Sequence, residues 1–195
     1  MSRDVKIGAA ILAAGSSSRL GVPKQLVSFK GKSLLQHMID VVESVDLSDR
    51  MVLLGANEKD IREQIDFKST QVILNEQWEK GMAGSLRMAV ESAIDEKLDA
   101  LLILLSDQPF VNRELLNQLI EGFVPDEEMI VASSYGDVLG VPALFDKYYF
   151  RELSELEGDA GARKLINTYR TKVKGVRFED GLIDIDTPKD LNQLN

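Results

Sequence analysis

Apolar positions along this chain follow two rhythms that take turns. Residues 5–12, 51–55, 70–75, 100–105 and 129–132 are short runs, apolar through most of their length, and read as strands. The unbroken run at 100–105 has the look of a central parallel strand covered on both faces. Between these runs the apolar residues fall at helical spacing. Leu34, Leu35, Met38, Ile39, Val42 and Val45 make one stripe; Leu86, Ala89, Val90, Ala93 and Ile94 make a second. Leu115, Leu116, Leu119, Ile120 and Phe123 make a third, and a more polar helix is expected over 58–65. Ser33 with Gln36 reads as a capping box opening the first stripe. His37 falls on the opposite side with Gln36, Asp40 and Glu43, which predicts a solvated histidine without a role.

Strands taking turns with amphipathic helices define an α/β fold, Rossmann-like, with a mostly parallel sheet in a three-layer sandwich. The rhythm loosens beyond Ser133. Residues 138–145 read as an antiparallel strand, and Pro142 within it predicts an edge position. Helices are expected over 146–155 and 160–168, and strands over 172–178 and 182–185. Thr187-Pro188-Lys189-Asp190 joins an N-cap to a proline at the first helical position, opening a closing helix.

With 195 residues and 44% hydrophobic content the chain can bury one substantial core, so one domain over 1–195 is expected. The absence of cysteine excludes disulfides, thiolate metal sites and cysteine nucleophiles, and a single histidine excludes a His-rich zinc site. No leader pattern and no apolar run of about 18 residues are present, which predicts a cytoplasmic protein without a membrane partner. The net charge of −9 is unevenly spread: Arg3, Lys6, Arg19, Lys24, Lys30 and Lys32 stand against Asp4 alone in residues 1–32. An acidic protein with a basic first segment suits a small anionic ligand better than nucleic acid.

The candidate chemistry begins where the first strand breaks. Ala13-Ala14-Gly15-Ser16-Ser17-Ser18-Arg19-Leu20-Gly21-Val22-Pro23-Lys24 is a small-residue loop carrying two cations. Small residues let backbone N–H groups close on an anion, so the loop reads as a triphosphate cradle. It is not a P-loop, because five residues separate Gly15 from Gly21 and Val22-Pro23 precede Lys24. No Gly-x-Gly-x-x-Gly occurs either, which removes the dinucleotide fingerprint. Gly81-Met82-Ala83-Gly84-Ser85 is a small-residue turn, beyond the only tryptophan, Trp78. Asp107 follows a buried strand and reads as a metal carboxylate; Asn112 offers the next helix its own cap, so capping does not require Asp107. Asp184 and Asp186 share one face of the last strand, where Asp186 can hold a metal or stabilise the closing helix.

Leu12-Ala13-Ala14-Gly15, Arg19-Leu20-Gly21-Val22-Pro23-Lys24, Gln25-Leu26 and residues 31–37 resemble the nucleotidyltransferase motif, within the group of sugar-nucleotide-type pyrophosphorylases. The nearest resemblance is to the molybdenum cofactor cytidylyltransferases, and it runs over nearly the whole chain. It implies a glycosyltransferase-A-like sheet, with a nucleotide part over about 1–110 and an acceptor part over about 111–195. It also implies that Arg19 and Lys24 bind the triphosphate beside Gly15 and Ser16. Ala13, Ala14, Gly81 and Ser85 would hold the base, and Asp107 and Asp186 would bind Mg²⁺. Pro142, Asp159 and Arg163 would face the acceptor; Val141 stands where many relatives carry histidine.

The expected reaction joins CMP from CTP to a molybdopterin acceptor and releases pyrophosphate, for delivery to a molybdoenzyme client. Guanylyl transfer and transfer to a sugar phosphate are the related alternatives. A non-catalytic nucleotide sensor or cofactor carrier is the alternative from another class, and two metal carboxylates argue against it.

Overall fold

A computed structural model of the chain describes residues 4–17 and 20–182. β1 (Ile7–Ala13) is followed by a small ribbon, β2 (Ser28–Phe29) with β3 (Lys32–Ser33), and then by α1 (Leu34–Glu43). β4 (Asp49–Leu54), α2 (Glu58–Gln64), β5 (Gln71–Leu74) and α3 (Met82–Asp95) come next. β6 (Ala100–Leu105) and α4 (Arg113–Glu121) lead to β7 (Ile130–Tyr135) and β8 (Val138–Asp146). α5 (Phe150–Ser154), α6 (Arg163–Thr168) and β9 (Val173–Arg177) complete the described elements. The expected strand at 182–185 and the closing helix from Thr187 lie outside the described residues, apart from Leu182, which ends a 3-10 turn.

Seven strands form one sheet in the order β5-β4-β1-β6-β8-β7-β9. β1 is parallel to both β4 and β6, and β5 to β4; only β8 runs against its neighbours. The two-residue alternation of a strand explains the three layers. Ile7, Ala9, Ile11 and Ala13 of β1 face a core shared with α1, α2 and α4. Ala10 and Leu12 face the opposite core, shared with α3, α5 and α6. Leu102 and Leu104 divide from Leu101 and Ile103 in the same way on β6. This is the mostly parallel α/β sandwich that the apolar rhythm predicts.

Pro142 does not mark an edge, contrary to expectation, because β8 lies inside the sheet between β6 and β7. Two features accommodate the missing N–H. The ladder with β6 covers only residues 143–146 of β8, and the ladder with β7 shifts register between Ala132 and Ser133, opposite Val141 and Pro142. A bulge thus stands where a central strand would require a donor.

The first helix keeps half of its capping box. Ser33 Oγ accepts from Gln36 N at 3.2 Å, but the Gln36 side chain turns away to Asp40 Oδ1 and to the backbone of Asp66. His37 is half-buried rather than solvated. Its ring meets Phe29 edge-on at 5.1 Å and its Nε2 lies 3.2 Å from the Val111 carbonyl. Burial pushes its pKa below the ordinary value, only partly offset by that carbonyl. Lone position on a polar stripe gave no sign of the ribbon that covers it.

Asp40 gathers Lys32, Lys68 and Gln36 around one carboxyl. Burial alone would raise its pKa, but the hydrogen bonds outweigh it and hold the group down at about 2. A carboxyl depressed in the folded state contributes stability that is complete above its ordinary 3.8 and is lost as pH falls towards 2. Melting temperature followed against pH should therefore fall less steeply over that window in Asp40→Asn than in the wild type. Identical acid limbs would remove Asp40 from the acid response.

Candidate active site

The chain leaves β1 for β4 and β5 on one side, then returns to place β6 on the other. The crevice between the carboxyl ends of β1 and β6 is therefore a switch point, where ligands of open α/β sheets bind. The loop after β1 and the Ser106-Asp107 segment after β6 both end there, held together by Ser106 N donating to the Leu12 carbonyl at 3.2 Å.

A cleft of about 330 Å³ occupies this crevice. Ala13, Ala14, Gly15, Ser16 and Lys24 line it from the loop, Gly81 and Ser85 from the α3 side, and Asp107 from β6. Asp159 reaches it as well, and also lines an adjoining cleft of about 240 Å³ together with Arg163 and Val141. Pro142 is buried in β8, its carbonyl accepting from Ser133 Oγ at 2.7 Å, and its neighbour Val141 faces the second cleft instead. Arg19 and Asp186 lie outside the described residues.

The loop is pinned from within. Gln25, with 0% of its surface exposed, donates through Nε2 to the carbonyls of Ala13 at 2.7 Å and Gly15 at 3.0 Å. Ser17, at φ 56°, accepts the backbone N–H of Lys24 on its Oγ at 3.0 Å. Both ends of the loop are thereby fixed to each other, and Lys24 is delivered to the cleft. Gly15 has nothing within 4 Å of the position its Cβ would take, so its backbone faces open space.

Lys24 Nζ pairs with Asp107 Oδ2. Asp107 is 8% exposed, and its second oxygen, Oδ1, is buried without a hydrogen-bond partner. A half-satisfied buried carboxylate is costly unless something electropositive completes it. A hard oxygen donor with an open lone pair fits a divalent cation, and Mg²⁺ needs only one or two protein carboxylates beside water and phosphate. α4 does not need Asp107 as its cap, because Asn112 Oδ1 accepts from Leu115 N at 2.9 Å. Among the described residues no group of three acids or histidines forms a closed metal cage.

The α3 side differs from a turn. The helix already begins at Met82, so Ser85 lies in its first turn, 2% exposed and bonded to Asn75 Nδ2 at 2.9 Å. Gly81 sits at φ +104°, where a Cβ would stand 2.3 Å from the Gly158 carbonyl oxygen. That carbonyl also accepts from Ala83 N at 3.0 Å, which fastens the segment around Gly158 and Asp159 to the start of α3. The sequence singles out Trp78 and Gln25 without giving either a role. Trp78 lines the cleft and presses on Gly55, whose Cβ would lie 2.6 Å from that of Trp78 and 2.8 Å from the Ala14 carbonyl oxygen. Uniqueness was its only signal. Gln25 could have been found as a polar residue next to Lys24 in an otherwise closing segment.

A small-residue loop with a lysine at the switch point, facing a half-satisfied aspartate, defines an α/β protein of the nucleotidyltransferase type. Residues 9–173 match the MobA-like NTP transferase domain, and the chain belongs to that family. The purine catabolism protein PucB of Bacillus subtilis (strain 168) is 28% identical over 194 residues, covering 94% of this chain and 93% of its own. The bifunctional protein GlmU of Desulfitobacterium hafniense (strain Y51) is 33% identical over 114 residues, 57% of this chain; the match spans only 24% of that longer relative. The structure of Rv0371c from Mycobacterium tuberculosis H37Rv is similar with a TM-score of 0.87 and 31% identity, covering 98% of each chain. A complex of Rv0371c with manganese is similar at a TM-score of 0.82 and 28% identity, covering 97% and 98%. Divalent metal binding thus occurs within the family. Among the described residues no helix is long and apolar enough to cross a membrane.

Proposed function

We propose that this protein transfers CMP from CTP to a molybdopterin-type cofactor and releases pyrophosphate. The observation that carries the reading is the meeting of the Gly15 loop, Lys24 and the half-satisfied Asp107 in one crevice. An oxygen of the acceptor phosphate forms a bond to the α-phosphorus as the bond to the β-phosphate breaks, and the electron pair leaves on pyrophosphate. The acceptor phosphate is ionised at neutral pH, so no general base is required. Negative charge grows on the leaving group, and Lys24 lies where its ammonium opposes that charge. Gln25 and Ser17 act earlier, holding the loop so that the triphosphate meets amides already in place. Asp107, with Asp186 as its expected companion, would hold Mg²⁺, which supplies charge neutralisation at the phosphates. Asp159 and Arg163, beside Val141 in the second cleft, belong to the acceptor side, where a molybdoenzyme client would collect the product.

The choice of cytosine rests on the family resemblance and on Ala14 in the cleft lining, where an alanine in place of glycine adds a methyl group that would crowd guanine more than cytosine. Turnover with Mg²⁺ and molybdopterin is expected to favour CTP over GTP and ATP, and Ala14→Gly should relax that preference. Pyrophosphate release, measured with each nucleotide against molybdopterin and a panel of sugar phosphates, decides it. Equal turnover with GTP would overturn the cytidylyl assignment, and release only with a sugar phosphate would replace the acceptor.

A further inference from the structure

Serine and threonine hydroxyls inside helices commonly spend their proton on the preceding turn. Ser154 and Thr168 do so here, each donating to a carbonyl three or four residues back. Ser85 does not. Among the described residues its hydroxyl bonds only with Asn75 Nδ2, at 2.9 Å.

The direction of that bond is fixed by a second one. Asn75 is 3% exposed, and its Oδ1 accepts the backbone N–H of Gln77 at 3.0 Å. A backbone N–H can only donate, so the carboxamide oxygen must face Gln77 and the amino group must face Ser85. Ser85 Oγ is therefore an acceptor towards Asn75, and its own proton is left over. Ser85 lines the cleft between the loop after β1 and α3.

We propose that Asn75, which does not itself line the cleft that Ser85 faces, is a positioning residue for base selection, because it obliges Ser85 to present a hydrogen-bond donor to the nucleobase. The inference rests on the nucleotidyltransferase reading and deepens it. The base edge that meets Ser85 carries an acceptor, such as the O2 or N3 of cytosine. A base offering a donor at that place meets the Ser85 proton head-on and leaves a buried donor unpaired.

Two substitutions at this position separate polarity from packing. Asn75→Asp keeps the shape and keeps an oxygen for Gln77, but its other oxygen can only accept. It draws the Ser85 proton to itself and leaves lone pairs facing the base. Asn75→Ala leaves the hydroxyl to turn either way. Affinity for CTP, measured by equilibrium titration at about pH 8 so that the introduced carboxyl is charged, should fall in the order wild type, Asn75→Ala, Asn75→Asp. The last step should be about tenfold or more. A role in packing alone exchanges the two variants, with the isosteric Asn75→Asp nearest the wild type, and would overturn the proposal.

Pyrophosphate, titrated alone, checks for simple charge repulsion: its affinity should be equal in all three proteins. A loss matching that for CTP would overturn the proposal too. In a Ser85→Ala background the difference between Asn75→Ala and Asn75→Asp should vanish, and its persistence would show that Ser85 does not transmit it. Failure of the wild type to bind any nucleoside triphosphate would instead overturn the nucleotidyltransferase reading itself.

Discussion

Asp107→Asn is expected to abolish most nucleotidyl transfer, with a loss on the order of 10²–10³ in kcat, in a protein that still folds. Asparagine keeps the shape of the side chain, and the adjoining helix keeps its start because Asn112 caps it. What disappears is the charge that pairs with Lys24 and the open lone pair on Oδ1. Affinity for CTP should accordingly become almost independent of added Mg²⁺, whereas in the wild type it should rise with the metal. CTP titrations at several Mg²⁺ concentrations, alongside thermal melts, read both effects. A fully active Asp107→Asn protein would refute the metal assignment. The same direction is expected for Asp186→Asn.

Lys24→Ala should raise KM for CTP and slow transfer, together by roughly ten- to a hundredfold. The range follows from the loss of a charge-assisted hydrogen bond to phosphate, about 1.5–3 kcal/mol. The backbone N–H of residue 24 would still donate to Ser17 Oγ, and Gln25 would still clamp the loop, so the cradle keeps its shape without its cation. Asp107 loses the partner of its Oδ2 at the same time, which should make the variant bind Mg²⁺ no more weakly than the wild type. Steady-state kinetics together with a melting curve test this. Unchanged kinetics in the folded variant would remove Lys24 from the site.

What could be read in advance divides along the range of the interactions concerned. β1, β6 and the stripe of α1 are written in residues that are neighbours in the chain, and each stands where its apolar rhythm places it. The meeting of the loop after β1 with Asp107 was also legible, since both follow buried strands of a parallel sheet. Pro142 misled because the bulge that accommodates it is formed with β7, a partner that local pattern does not name. The residues 81–85 were read as a turn because their small side chains suit one. The helix starts there because Gly158, far along the chain, fastens Ala83. His37 was misplaced for a related reason: a face that is polar in sequence is covered by Phe29 and by the segment before α4. Asn75 acts through geometry alone, and nothing in its spacing announces it.

The interior position of β8 has a consequence for how the molecule is made. During synthesis β1, β4, β5 and β6, together with the loop and Asp107, leave the ribosome before the strand that covers the flank of β6. Until residues 143–146 arrive to pair with residues 100–103, that strand of Ala-Leu-Leu-Ile carries a bare row of N–H and C=O groups. The nascent first half is thus a sticky intermediate, and ribosomes pausing shortly after β6 would favour aggregation over folding. For the same reason, a fragment ending near residue 110 would expose that edge permanently, so the first part of this chain does not make a small module by itself.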